Sequence, residues 1–239
     1  MEIFRKVVVT LQSNQPLLAM KPFVMKQFQV RHRLSAMKVG VDAVLLGAWA
    51  KLSPRAEVLD AGCGCGIISL MVAQRYPQAL ITAIDVDPLA VIEARENFSA
   101  SPWGARLHGC RRDFLAIDRK FDAIVSNPPY FDAGIRAATT RRELARHAAG
   151  LSPLTLLSHG AELLNPGGSV SMIVPTEWLQ ALTDEAEAYG LHLSRKCLVQ
   201  GNPDSPVTRA LLTFSLTPSA ETETENIIIE SYICTVKIF

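Results

Sequence analysis

Five short segments at residues 57–61, 80–84, 106–110, 123–126 and 169–174 set the strongest constraint on how this chain can fold. All read as short strands, and helical patterns lie between most of them. Residues 65–75 carry apolar side chains at helical spacing and stop before Pro77. Residues 88–100 do the same, with Asp87 as N-cap and Pro88 at the first helical position. Ser152-Pro153 opens another helix, which stops near Asn165-Pro166-Gly167-Gly168, and residues 177–189 form one more ahead of Gly190. Strands joined through helices pair in parallel, so the pattern predicts an α/β fold around a mostly parallel sheet. Residues 191–199 and 209–216 follow as strands with no helix between them, which predicts an antiparallel pair ending the sheet.

The ends of the chain carry weaker signals. Residues 1–24 read as an N-terminal extension, and residues 25–239 as a single domain. Within it, alternation over 25–30 predicts one short strand, and Val44, Leu45, Ala48 and Trp49 predict a helix over 42–52. The acidic, polar stretch 220–226 reads as a loop.

Composition removes several functional classes. With 24 Lys+Arg against 23 Asp+Glu, the net charge of +1 provides no bulk attraction for nucleic acid, so any such partner has to meet a local basic patch. The apolar runs at 7–9 and 227–229 fall far short of the roughly 20 residues that span a bilayer. Five scattered cysteines give neither a disulfide framework nor a zinc spacing, so they read as cytosolic thiols, and no metal is expected.

Chemistry enters at Asp60-Ala61-Gly62-Cys63-Gly64-Cys65-Gly66, where a strand runs into a glycine turn and then a helix. The dinucleotide fingerprint GxGxxG needs a glycine where Ile67 stands. GxGxG after an acid suits a ligand made of a nucleoside and an amino acid rather than a pyrophosphate. Asp85 ends the second strand 23 residues past the first glycine, where a carboxylate can accept from both ribose hydroxyls. Val86 lies beside it. Asp113 follows the third strand, placed to take an adenine amine while the Phe114 N–H meets a ring nitrogen. Asp60 would hold a cationic amino group, directly or through water. In this order the residues resemble the class I S-adenosylmethionine-dependent methyltransferases over roughly residues 36–216. The resemblance implies a Rossmann-like, seven-stranded sheet, S-adenosyl-L-methionine as cofactor and S-adenosyl-L-homocysteine as product.

The fourth strand ends in Ser126-Asn127-Pro128-Pro129-Tyr130. Two prolines fix an extended turn, so the Asn127 side chain and the Pro128 carbonyl can both accept from one planar amine. The lone pair of such an amine is delocalised, and two acceptors favour the pyramidal nitrogen that can attack a methyl group. Tyr130 offers a face on which an extruded base can stack. Asn127, Pro128, Pro129 and Tyr130 are therefore the candidate catalytic set, with Asn127 also bordering the cofactor. Asn-Pro-Pro-Tyr resembles the motif of enzymes acting on exocyclic or amide nitrogens and does not separate adenine from a protein glutamine.

The amino-terminal block narrows the substrate. Residues 26–32, Ala36-Met37-Lys38-Val39-Gly40-Val41-Asp42 and 45–50 resemble the bacterial family that methylates N6 of the adenine 3′ to the anticodon in a valine tRNA. Residues 93–98, Ser101-Pro102-Trp103 and Ala145-Arg146-His147 extend the likeness, and Val41 departs from it where the family has Thr or a similar residue. The resemblance implies a cytoplasmic enzyme acting on tRNA without a metal, with no membrane and no obligate protein partner. Candidate RNA contacts are Arg31, His32, Arg33 and Lys38 upstream, and Arg136, Arg141, Arg142, Arg146 and His147 downstream of the motif. Two alternatives stay open: N-methylation of a protein glutamine or another RNA base, and a catalytically idle RNA-binding module.

Overall fold

A computed structural model describes residues 7–9, 21–129, 150–230 and 234–238. The chain alternates as expected through β4 (Glu57–Ala61), α2 (Ile67–Arg75), β5 (Leu80–Asp85), α3 (Pro88–Ser99), β6 (Leu107–Arg111) and β7 (Phe121–Ser126). It continues with α4 (Pro153–Glu162), β8 (Leu164–Pro175), α5 (Leu179–Glu187), β9 (His192–Gln200) and β10 (Val207–Ser215). Upstream lie β1 (Val7–Val9), β2 (Phe23–Val24), β3 (Gln29–Val30) and α1 (Val41–Trp49); β11 (Glu223–Glu230) and β12 (Cys234–Ile238) come last. Local chemistry sets the helix starts. Asp87 accepts from the Leu89 N–H with Pro88 behind it, and Ser152 with Thr155 forms a capping box ahead of Pro153.

Among the described residues the main sheet has ten strands in the order β1-β12-β11-β9-β10-β8-β7-β4-β5-β6. Strands β8, β7, β4, β5 and β6 are mutually parallel, and β10 runs antiparallel to both β8 and β9. The seven strands from β9 to β6 are the class I arrangement. Alternate residues of each strand face opposite layers. Val58, Ile81 and Val125 pack under α1, α2 and α3, whereas Leu59, Ile84 and Ile124 pack under α4 and α5. The chain leaves β4 for β5 and β6 on one side and returns to β7 on the other. The carboxyl ends of β4 and β7 therefore form the topological switch point, where open α/β sheets bind ligands.

Three expectations need correction. The single strand over 25–30 is a hairpin of β2 and β3, closed by the Met25 N–H on the Phe28 carbonyl, because Lys26-Gln27 makes a polar turn. The antiparallel pair β9–β10 does not end the sheet, since β11, β12 and β1 continue beyond β9. Val7–Val9 of the expected extension thus becomes a strand of the sheet. The acidic loop is also half strand: β11 starts at Glu223 and runs parallel to β9.

One partner explains that last difference. The Arg195 guanidinium lies 4.2 Å from the Trp49 ring centroid, 3.2 Å from Glu223 and in contact with Glu225, whose carboxylate also accepts from Trp49 Nε1 at 3.2 Å. Glu225→Leu removes the more buried of the two carboxylates and leaves the half-exposed Glu223 facing Arg195, a loss of about 2 kcal/mol. Thermal melting should show a drop of about 5 °C.

The β6–β7 connection holds only a 3-10 turn (Phe114–Ala116), so it lays no helix over the outer part of the sheet. A cavity of about 660 Å³ opens along that face, lined by Thr82, His108, Cys110, Ile117 and Arg119 among others. It is separate from the switch point. No helix among the described residues is long and apolar enough to cross a membrane.

Candidate active site

The glycine turn leaves β4 with three residues in the left-handed region, Gly62 at φ +71°, Gly64 at +53° and Gly66 at +84°. Their surroundings differ. A Cβ on Gly62 would lie 2.5 Å from Leu151 Cδ2, and one on Gly66 2.5 Å from Phe98 Cε1. A Cβ on Gly64 would meet nothing within 4 Å. Gly62 and Gly66 therefore let neighbours pack, while Gly64 presents bare backbone to open space. Sequence reasoning did not single out Gly66, although its position at the N-cap of α2 makes it as demanding as Gly62. Gly66→Ala should lower the melting temperature by clearly more than Gly64→Ala, because only the first drives a methyl into a packed ring. Cys63 and Cys65 are buried in the turn, and burial pushes the Cys65 thiol up to about 12 and the Cys63 thiol well above its ordinary value. Both are packing residues, not nucleophiles.

Carboxylates line the same rim. Asp60 is fully buried on β4, and its Oδ2 accepts from Ser69 Oγ at 2.6 Å and from the Ser69 N–H at 3.1 Å. Its Oδ1 has no hydrogen-bond partner among the described residues. Burial raises the Asp60 pKa to about 7, with Ser69 opposing the shift and Asp85 adding to it. Asp85 closes β5 and accepts from the Gly64 N–H on Oδ2 and the Asp87 N–H on Oδ1, each at 2.9 Å. Each oxygen keeps acceptor capacity beyond those bonds. Val86, next in sequence, is 61% exposed beside the turn. Asp113 is exposed and caps the 3-10 turn, its Oδ1 accepting from the Leu115 N–H at 3.0 Å. The Phe114 ring is buried edge-on against His159, so only its backbone can serve a ligand.

Strand β7 brings in the fourth element. Ser126 Oγ donates to the Ala61 carbonyl at 2.7 Å, fastening the end of β7 to the end of β4 just before the glycine turn. Asn127 follows, and its Oδ1 is buried with no hydrogen-bond partner among the described residues. Pro128 is buried and Pro129 exposed. Buried polar atoms are nearly always paired, and an unpaired acceptor costs about 1–3 kcal/mol. Two such oxygens, on Asp60 and Asn127, stand at the carboxyl ends of neighbouring strands. Tyr130, Arg136, Arg141, Arg142, Arg146 and His147 lie outside the described residues.

The upstream basic stretch is partly committed to the protein itself. Arg31 pairs with Glu96 at 3.3 Å. Lys38 Nζ donates to the carbonyls of Arg33 and Ser35, each at 3.1 Å. His32 Nδ1 accepts from the Val39 N–H at 3.3 Å, and burial lowers its pKa, so at neutral pH it is a neutral acceptor rather than a cation. Arg33 remains exposed. Sequence reasoning missed what holds this stretch, the buried Glu93 and Asn97 on α3. The available signal was two polar residues one turn apart on a stripe otherwise formed by Ala90, Ala94 and Phe98. Among the described residues no group of three or more His, Cys, Asp or Glu side chains could hold a metal.

Comparison with known proteins agrees with this geometry. Residues 40–181 match the methyltransferase small domain family. A tRNA1(Val) (adenine(37)-N6)-methyltransferase of Vibrio vulnificus is 42% identical over 208 residues, covering 86% of this chain and 87% of that protein. A protein of the same name from Pseudoalteromonas translucida is 38% identical, covering 92% and 98% of the two chains. The crystal structure of a Pyrococcus furiosus methyltransferase shares the fold, with a TM-score of 0.55 at 18% identity over 74% of this chain and 82% of that one. With its glycine turn and Asn127 meeting at the switch point, this chain is a methyltransferase of the small-domain family and belongs with the tRNA1(Val) (adenine(37)-N6)-methyltransferases.

Proposed function

We propose that this chain transfers a methyl group from S-adenosyl-L-methionine to N6 of the adenine 3′ to the anticodon in a valine tRNA. The observation that carries the reading is the buried Oδ1 of Asn127, without a hydrogen-bond partner among the described residues and one residue past a strand end fastened to the glycine turn. The relatives' names supply the substrate.

The residues present fit the cofactor. Among the described residues nothing stands where a Gly64 Cβ would lie and Asp60 Oδ1 is an unused buried acceptor, while Asp85 has acceptor capacity at the end of β5. Asp60 would hold the ammonium of the methionine part, Asp85 the ribose hydroxyls, Val86 one face of the adenine, and Asp113 with the Phe114 N–H its edge. When bound, S-adenosyl-L-methionine supplies an electrophilic methyl on a sulfonium.

Asn127 Oδ1 and the Pro128 carbonyl accept from the two hydrogens of the target amine. That holds the nitrogen in place and favours the geometry in which its lone pair is free to attack. The methylated nitrogen is acidic and loses its proton afterwards, so no strong base needs to act first. Pro129 stiffens the turn, and Tyr130 gives the extruded adenine a stacking face. Arg31, Arg33 and Lys38, with Arg136, Arg141, Arg142 and Arg146, contact phosphates. His32 belongs to that set only as a hydrogen-bonding group. The reaction is read as cytoplasmic, with tRNA as the partner.

Incubation with labelled S-adenosylmethionine and total bacterial tRNA lacking the modification tests this. Digestion should give label in N6-methyladenosine. Label in protein glutamine, or none in RNA while cofactor binds, would overturn the substrate.

A further inference from the structure

We infer that Glu93 and Asn97 are positioning residues that fasten the segment 31–39 to the glycine turn as a wall of the cofactor cleft, setting cofactor affinity without touching the cofactor. The inference rests on the cofactor reading above. Glu93 is 1% exposed and Asn97 2%, on consecutive turns of α3. The Glu93 carboxylate accepts three successive backbone N–H groups, Leu34 and Ser35 at 2.9 Å and Arg33 at a shorter contact. A run of amides converging on one anion is a nest. Here the anion belongs to the protein and the amides to the segment it holds.

Asn97 completes the fastening. Its Oδ1 accepts from the Arg31 N–H at 2.8 Å, and its Nδ2 donates to the Arg31 carbonyl and to the Cys65 carbonyl, both at 2.8 Å. One side-chain amide therefore ties the segment to the turn that carries Gly64. Lys38 closes the same loop on the carbonyls of Arg33 and Ser35, and the Val39 N–H is taken up by His32. Burial would push the Glu93 carboxyl up, but the N–H groups of Leu34, Ser35 and Arg33 outweigh it and hold the pKa below its usual range. The clasp is thus charged at neutral pH.

Helix α3 is the common support. Asp85 and Val86 lie just before its first turn, Glu93 holds the segment midway and Asn97 in the last turn, and the Phe98 ring packs where a Cβ on Gly66 would stand. Loosening the clasp releases the wall and the Cys65 carbonyl together. The atoms that meet the target amine lie on β7 and its turn, outside this clasp.

Glu93→Gln keeps the shape and replaces one accepting oxygen by an N–H₂ that faces a backbone donor. The test measures S-adenosylhomocysteine binding by calorimetry, melting without ligand, and both kinetic parameters. Cofactor affinity should fall at least fivefold and the cofactor KM rise to match, with kcat at saturation within about twofold. Asn97→Ala should weaken cofactor binding in the same sense. Unchanged affinity in a folded Glu93→Gln protein, with only the melting temperature lowered, would overturn the inference and leave Glu93 a structural residue. If that variant does not fold, amide exchange in the wild type decides. Protection at Leu34 and Ser35 that rises on S-adenosylhomocysteine binding supports the clasp, and unchanged protection overturns it. Failure of the wild type to bind S-adenosylhomocysteine would instead overturn the cofactor reading on which the inference stands.

Discussion

Replacement of Asn127 by alanine is expected to lower kcat for methyl transfer about 100- to 1000-fold, with S-adenosylhomocysteine affinity changed less than about threefold. The asymmetry follows from geometry. Asn127 stands past β7, whereas Gly64, Asp60 and Asp85 stand on β4, β5 and the turn between β4 and α2. In the proposed mechanism, removing one preorganised acceptor forfeits the stabilisation it gives the reacting amine and part of its alignment. The same change should leave the melting temperature of the free protein unchanged or slightly higher. Truncation deletes a buried oxygen that has no partner among the described residues, a group that costs about 1–3 kcal/mol while unpaired. Lost catalysis without lost stability marks a residue kept for chemistry. A large drop in melting temperature would instead make Asn127 a packing residue.

Cofactor affinity should strengthen about tenfold between pH 6 and pH 8, and Asp60→Asn should both weaken binding and flatten the profile. Burial, the largest cause, raises the Asp60 pKa to about 7 in the free protein. A cationic amino group favours the ionised carboxylate, so binding at pH 6 has to drive off a proton that is already absent at pH 8. The sign for stability is opposite. Because the folded pKa lies above the unfolded value of about 3.9, the folded free protein holds this proton more tightly than the unfolded chain. The stability Asp60 contributes is present below about pH 4 and is lost as pH rises toward 7. Ligand-free melting and calorimetric affinity should therefore move in opposite directions over pH 6 to 7 for this group. A flat affinity profile that Asp60→Asn does not alter would show that Asp60 does not meet the amino group.

Much of the frame was legible because it is local. Strand β4 covers the expected residues 57–61, and α3 and α4 start at Pro88 and Pro153 behind Asp87 and Ser152, as the capping signals require. The rim positions of Asp60, Gly62, Gly64, Asp85 and Asn127 follow once the strands are parallel, because every carboxyl end then faces the same side. What escaped the sequence depends on distant partners. Glu223 and Glu225 read as loop residues until Arg195 and Trp49 are brought beneath them. His32 reads as a cation, but burial lowers its pKa and its Nδ1 is taken up by the Val39 N–H. No spacing distinguishes Gly64, which faces open space, from Gly66, which faces the Phe98 ring.

The most direct test of the central claim uses two transcripts of a valine tRNA that differ only in the nucleotide 3′ to the anticodon, adenine in one and guanine in the other. Under single turnover with labelled S-adenosylmethionine, the adenine transcript should take up one methyl per molecule, recovered as N6-methyladenosine, and the guanine transcript none. Equal labelling of both, or of neither while S-adenosylhomocysteine binds, would contradict the account.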